Sequence, residues 1–475
     1  MHPKIAALLR STQEDRVEMI DLKFIDLFGQ WHHLTIPSAF FTEETFSHGV
    51  AFDGSSVGFK TVEAGDMVLI PDPETARYDP FWEVKTMSLL CHAAEADTKI
   101  ISPRDPRGIA RRAEEFLQST GIADQSQWSP EFEFYIFDSI NYQSDINMAR
   151  YIIDSEEADW NSGMEQERNL GHKIPRKGGY HAIPPLDTMF NIRSEMVKII
   201  QEGGIKVRYH HHEVGGPGQS EVEILFYPLM DAADHAQWIK YVIKMIAQKR
   251  QRTVTFMPKP LYGEAGCGMH MHQKLFKKGQ PLFFDRSGYA GLSKTALHYI
   301  GGVLSHGPSL TALTNPSTNS FKRLVPGFEA PVNLFFSLGN RSAAIRIPKY
   351  AIDPHDKTFE YRPPDATCNI YLAMSAILMA GIDGIRKEID PMEAGFGPFD
   401  VDIEKASKEV KGKIGPLPSS LKEALDALEE DHQYLLEGGV FSEDIIQTWV
   451  ERKMRDYYEI RNRPHPYEMN LYYEA

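Results

Sequence analysis

The sequence predicts an α+β architecture, and three observations carry that reading. Strand and helix patterns interleave without the strict alternation of a doubly wound parallel sheet. Residues 1 to 104 read as strand-rich, whereas the long helical patterns fall later in the chain. A Pro103-Arg104-Asp105-Pro106 sequence punctuates the boundary between these two parts.

Val17 to Leu27 alternates apolar and charged residues, Phe28-Gly29-Gln30 supplies a turn, and Trp31 to Ile36 returns, which predicts a hairpin. Asp66 to Ile70 and Val84 to His92 extend the same sheet. Asp105 is placed to cap a helix over Pro106 to Ser119, with proline at the first helical position. The chain therefore divides into 1–104 and 105–475. Beyond the boundary, Pro130 to Phe137 and Thr253 to Phe256 read as strands, and Asp187 to Glu202 and Ala232 to Lys249 as helices. Asn369 to Lys387 reads as a buried helix, and Ser420 to Glu437 as one amphipathic helix closed by Gly438-Gly439. The polar run Tyr142 to Arg176 is expected on the surface.

The 475 residues carry 51 Lys plus Arg against 66 Asp plus Glu, a formal charge of −15, which argues against nucleic acid or an anionic membrane as a partner held by net charge. Cys91, Cys267 and Cys368 are scattered and odd in number, so no disulfide framework is expected. Met1 to Arg10 lacks the apolar core of a signal peptide, and the most apolar run, Tyr371 to Ile382, is too short to span a bilayer. A cytoplasmic protein is expected.

Three segments carry the chemistry. In Pro130-Glu131-Phe132-Glu133-Phe134, strand geometry puts both carboxylates on one face and both rings in the core. His210-His211-His212-Glu213 is followed by the glycine-rich 214–220 and Glu221, and a hairpin there brings Glu213 and Glu221 together. In Gly266 to His272, His270 and His272 again share a face. Converging carboxylates need compensating charge, and such oxygen-rich ligation suits Mg²⁺ or Mn²⁺, two of which can clamp a transferring phosphoryl group. For Glu131 and Glu133 taken alone, a solvated polar face is the simpler account. Arg323, Arg341, Arg346 and Arg362 lie in stretches rich in Pro, Gly and Asn, expected to be loops, and supply groups that bind carboxylate and phosphate bidentately.

With these residues in place, the chain resembles class I (bacterial-type) glutamine synthetases over nearly its whole length. Phe52-Asp53-Gly54-Ser55-Ser56 is similar to the family's latch, and Asp66 to Asp72, Lys177-Gly178-Gly179-Tyr180, His211 to Val214, Phe256 to Pro260, Lys322 to Gly327 and Pro464 to Glu468 follow in the family's order. The resemblance implies a small N-terminal β-grasp domain and a large catalytic domain with an antiparallel sheet and flanking helices. It implies that glutamate, ATP and ammonia give glutamine, ADP and phosphate through a γ-glutamyl phosphate. It further implies two metal ions, Mg²⁺ or Mn²⁺, one held by Glu133, Glu213 and Glu221 and the other by Glu131, His270 and Glu360. Gly266, Arg323, Glu329, Arg341 and Arg362 would surround glutamate and the phosphate, with Phe226, His272 and Arg346 on the nucleotide side. Asp53, from a neighbouring subunit, would bind ammonium, and Glu329 would sit on the flap. A dodecamer of two six-membered rings is implied, with the aromatic stretch Tyr467 to Tyr473 as an inter-ring contact.

The chain departs from the family pattern in four places. The latch is one residue short with Phe59 for a usual Trp, Ala265 replaces an Asn, Lys274 a Ser, and Thr358 an Arg. The rival readings are a ligase joining glutamate to a larger amine, and an inactive relative that would have lost metal ligands. No tyrosine occurs between Tyr371 and Tyr434, so adenylylation within 391–418 is not expected.

Overall fold

The computed structural model describes residues 3–165, 169–328, 330–401, 403, 412 and 414–475. Near the N-terminus a six-stranded sheet runs in the order Trp31–Pro37, Met19–Ile25, Thr86–Glu95, Asp66–Pro71 and Val50–Asp53, with Arg77–Asp79 alongside Thr86–Glu95. The expected hairpin is present, Ile25 lying opposite Trp31. Its turn is held by the Asp26 carboxylate, which accepts the N–H groups of Phe28 and Gln30, while Gly29 takes a φ of +92°. The inner strand Met19–Ile25 pairs in parallel with Thr86–Glu95, and Ile20, Leu22, Leu69 and Leu89 form a core of their own. Helix Pro106–Ser119 begins as read: the Asp105 carboxylate accepts the Gly108 N–H at 3.0 Å.

A ten-stranded sheet organises the rest. Its order is Val207–His212, Gln219–Ile224, Gln125–Phe137, Met271–Lys277, Phe359–Tyr361, Ala343–Ile347 and Asn333–Leu338. Every pair along this path is antiparallel except the last, Ala343–Ile347 with Asn333–Leu338, so the expected antiparallel sheet is mixed at one edge. Phe132 and Phe134 are fully buried and join one apolar cluster with helices Leu229–Lys249, Lys294–Ser305 and Ile370–Arg386. This is the α+β fold expected of a β-grasp domain followed by a catalytic domain.

Three details differ from the sequence reading. The amphipathic run does not form one helix: Leu421–Glu430 stops at Asp431, and Gln433–Leu436 resumes as a separate turn. Asp431 is drawn out of the helix to accept from His306 at 2.8 Å and Ser309 at 3.1 Å. The polar excursion starts as an exposed hairpin, Ser139–Asp145 with Met148–Asp154, but Ser155, Glu157 and Asn161 after it are buried. Of the four arginines expected in loops, Arg346 lies within strand Ala343–Ile347 and Arg323 ends the short helix Ser320–Arg323.

Candidate active site

The ladder register lines the chemistry up in rows on one face of the large sheet. His211, Glu221 and Glu133 lie directly opposite one another on three adjacent strands, and Tyr209, Glu223 and Glu131 form the next row. A third row runs from His272 through Glu360 to Arg346. Opposed side chains sit about 4.5–5.5 Å apart at Cβ, and like charges so placed repel. The sequence forces this arrangement through period-two alternation, because the same strand buries Phe132 and Phe134 on its other face.

Among the described residues, potential ligand atoms converge within 4.8 Å in three sets: Glu131, His270 and Glu360; His211, Glu213 and Glu221; and Glu131, Glu223 and His272. The first set is the one expected from the sequence. In the second His211 stands where Glu133 was expected. Glu133 is turned toward the glycine loop, accepting the Gly268 N–H at 2.6 Å, with its other oxygen 3.9 Å from His270. The third set, and Glu223 within it, was not anticipated. One Glu223 oxygen is held by Arg208 at 2.6 Å, and the other is buried without a hydrogen-bond partner.

The two carboxylate groups differ electrostatically. Burial, reinforced by Glu133, pushes Glu213 up to about 7, and burial with Glu131 and Glu213 drives Glu221 well above the usual carboxylate range. Burial acts the same way on Glu131, but hydrogen bonds with His270 and His272 outweigh it and hold the group well below that range. At Glu360 burial is overcome chiefly by Arg362, which brings the group to about 2. Arg346 also bonds Glu360 at 2.6 Å. The Glu213–Glu221 side therefore gathers more buried carboxyl groups than its own cations can neutralise, and the close array of oxygen donors beside His211 fits a hard divalent cation.

These groups line a cavity of about 330 Å³. Arg323, Arg341, Arg346 and Arg362 all reach it, as does Gly266. A Cβ on Gly266 would meet the Pro258 carbonyl oxygen at 2.6 Å and Arg323 Cγ at 2.7 Å, so only glycine lets this loop pass. Ala265 contributes its carbonyl, which accepts the Tyr135 hydroxyl at 2.7 Å. Phe226 and His272 meet edge to face at 6.4 Å between centroids, and Lys274 lies 4.1 Å over the Phe226 ring. Thr358 donates to the Gln273 carbonyl at 2.8 Å. The described residues lining the cavity all follow position 130, so Asp53 is not brought in within one chain. Asp53 is exposed on strand Val50–Asp53, and hydrogen bonds from Ser55 and Ser56 favour its ionised form, lowering its pKa to about 2. Glu329 lies outside the described residues.

Such a cavity, with acidic and imidazole donors on one wall and guanidinium groups on another, defines an enzyme that handles anionic substrates with divalent cations. Family models match both parts of the chain: "Glutamine synthetase, beta-Grasp domain" over residues 16–96 and "Glutamine synthetase, catalytic domain" over residues 103–472. The glutamine synthetase of Mycolicibacterium smegmatis is 48% identical, with 98% of each chain covered. That of Frankia alni is 47% identical with 100% of each covered. A cryo-electron microscopy structure of Plasmodium falciparum glutamine synthetase superposes with a TM-score of 0.89 at 28% identity, covering 99% of this chain and 98% of that one. The chain belongs to the glutamine synthetase family, of the bacterial type, and uses ATP and divalent metal as that family does.

Proposed function

We propose that this chain ligates ammonia to L-glutamate at the expense of ATP through a γ-glutamyl phosphate, dividing the work at 104/105 between an N-terminal domain that presents Asp53 and a catalytic domain that holds the cavity. The observation that carries this reading is the surplus of buried carboxylates around Glu213 and Glu221 facing the arginines across one cavity.

Two ions, Mg²⁺ or Mn²⁺, held by Glu133, Glu213 and Glu221 and by Glu131, His270 and Glu360, with His211 beside the first set, would supply positive charge to the phosphoryl oxygens. Arg341 and Arg362 offer planar donors to the transferring phosphate, and Arg323 with the Gly266 backbone positions glutamate. Phe226 gives the base a stacking face beside His272, and Arg346 lies toward the nucleotide. Asp53 stays ionised, as binding ammonium and drawing off its proton require. Because Asp53 stands outside its own chain's cavity, a neighbouring subunit receives it, which supports a closed ring and a dodecamer of two stacked rings. The exposed Tyr467, Leu471, Tyr472 and Tyr473 support a second, inter-ring contact. The three cysteines are buried and unpaired, which fits a cytoplasmic setting. Among the described residues no helix is long and apolar enough to cross a membrane.

The test is an acceptor panel with purified protein: ammonia, hydroxylamine, methylamine and putrescine, each with glutamate and ATP. Ammonia is expected to give the highest kcat/KM, and a clear preference for methylamine or putrescine would transfer the chain to the amine-ligase reading. Light scattering is expected to find a ring assembly, and a fully active monomer would overturn the shared site.

A further inference from the structure

Phe328 lines the same cavity as Glu213 and Arg323, and two ammonium groups converge on its ring. Lys177 Nζ lies 3.8 Å and Lys259 Nζ 3.6 Å from the ring centroid, well inside the 6 Å or so at which a cation is attracted to an aromatic face. Placing two like charges against one another is unfavourable, so both lysines need an anchor. Glu264 provides it. Its carboxylate accepts the Lys177 backbone N–H at 3.1 Å, and its carbonyl accepts the Lys259 ammonium. Lys177 is held in the left-handed region, at φ +57°, which a non-glycine residue adopts only when its surroundings impose it. The Lys259 backbone is pinned in turn: its N–H donates to Asn319 Oδ1 at 2.7 Å and its carbonyl accepts Asn319 Nδ2 at 3.0 Å. Asn319 directly precedes the short helix Ser320–Arg323, so the platform under Phe328 is tied to Arg323, which lines the same cavity.

We propose that Lys177 and Lys259 are positioning residues that seat the Phe328 ring as a wall of the cavity, keeping water from the acyl phosphate until ammonia arrives. This rests on the ligase reading above. The cost of an unseated wall is chemically specific. Water adds to the γ-carbonyl carbon, the carbon–oxygen bond to phosphate breaks with its electron pair leaving on phosphate, and the two water protons pass to the products and solvent. Glutamate is regenerated, so the sum is ATP and water giving ADP and phosphate with no glutamine formed.

The experiment measures ADP and glutamine in the same reaction mixtures, with and without ammonia, for wild type, F328L, F328Y, K177M, K259M and the double lysine variant. At the lower end of the cation–π range each contact is worth about a factor of two, so losing both corresponds to about a fivefold change in the seated-to-unseated ratio. Wild type is expected to form one ADP per glutamine. F328L and the double lysine variant are expected to release ADP without ammonia about fivefold faster, while F328Y, which keeps the ring, stays coupled. Coupling that is intact in F328L and in the double lysine variant overturns the proposal, and so does F328Y uncoupled as badly as F328L. Should F328L fail to fold, the lysine variants decide alone, since Lys177 is exposed and Lys259 half-buried. Wild type that makes no glutamine from ammonia would defeat the ligase reading itself, a result distinct from coupled variants.

Discussion

Two of the places where this molecule buries several charges together resolve the problem in opposite ways. At the junction between the N-terminal sheet and the catalytic domain, Arg107 is almost fully buried and bonds Asp234 through two nitrogens, at 2.9 and 2.7 Å. The same guanidinium reaches Asp72 at 2.8 Å and His92 at 3.1 Å, and Tyr371 donates to Asp234 at 2.7 Å. Burial opposes the charge on Arg107, yet Asp234 raises its pKa well above the ordinary value. At the cavity no guanidinium among the described residues closes the pair: Glu213 is driven toward the neutral form by burial and Glu133, and Glu221 by burial together with Glu131 and Glu213. The first network is closed by the chain itself. The second is left open for cations that arrive from solution, and that difference separates a structural joint from a binding site.

The largest effect that sharpens this contrast is on turnover. Glu221→Ala is expected to reduce glutamine formation by about 10⁴-fold, roughly 5.5 kcal/mol of transition-state stabilisation. Its metal-free melting temperature should hold or rise, because a repelled buried carboxylate has been removed. Activity within tenfold of wild type would erase the distinction drawn above. Arg107→Met should do the reverse, destabilising the fold by about 3–5 kcal/mol, since Asp234 is left buried without its counter-charge. Chemical denaturation at fixed protein concentration measures this, and a loss below about 1 kcal/mol would refute the joint. Mg²⁺ at about a hundred times its dissociation constant should stabilise wild type by about 2.7 kcal/mol over chelated protein. That increment should shrink in Glu221→Ala and persist in Arg107→Met.

The smallest expected effect concerns a third burial. His306 sits between Asp383 at 2.9 Å and Asp431 at 2.8 Å and stacks on Tyr434 at 3.9 Å. Burial lowers its pKa, but the hydrogen bonds to Asp383 and Asp431 outweigh it and raise the group above its ordinary 6.5. A raised folded pKa means that the protonated pair stabilises fully below the unfolded value of about 6.5 and loses that contribution as pH climbs through the folded value. His306→Gln should therefore remove about 1–2 kcal/mol at pH 6 and less at pH 9. Melting curves for both proteins across that range would show the gap narrowing, and a constant gap would exclude the linkage.

What was legible in the sequence was whatever local chemistry determines. The Glu131–Phe134 alternation fixes which side of the strand faces the cavity, and Asp105 with Pro106 fixes a helix start to the residue. Parity is lost where a strand slips. The register between Val207–His212 and its partner shifts between Val207 and Tyr209, so alternation counted from Val207 does not tell which of His210, His211 and His212 faces Glu221. Glu223 was missed although it follows Glu221 at the same period of two, a signal that was available. The break at Asp431 was invisible because its cause, His306, lies 125 positions away in the chain. Arg346 read as a loop residue because its neighbours are typical of turns, yet Glu360 opposite it on the adjacent strand holds it in the sheet.

The strand Gln125–Phe137 pairs with four other strands and carries both a wall of the core and a wall of the cavity. It thus imposes a reading frame on the protein. A substitution along it alters one letter, but a single inserted or deleted residue upstream of Glu131 would exchange the two faces, sending two carboxylates into the apolar interior and two phenyl rings into the cavity. A change of length is tolerated in segments such as the exposed hairpin of Ser139–Asp145 with Met148–Asp154 beyond its end, whereas this strand tolerates a change of spelling and not of count.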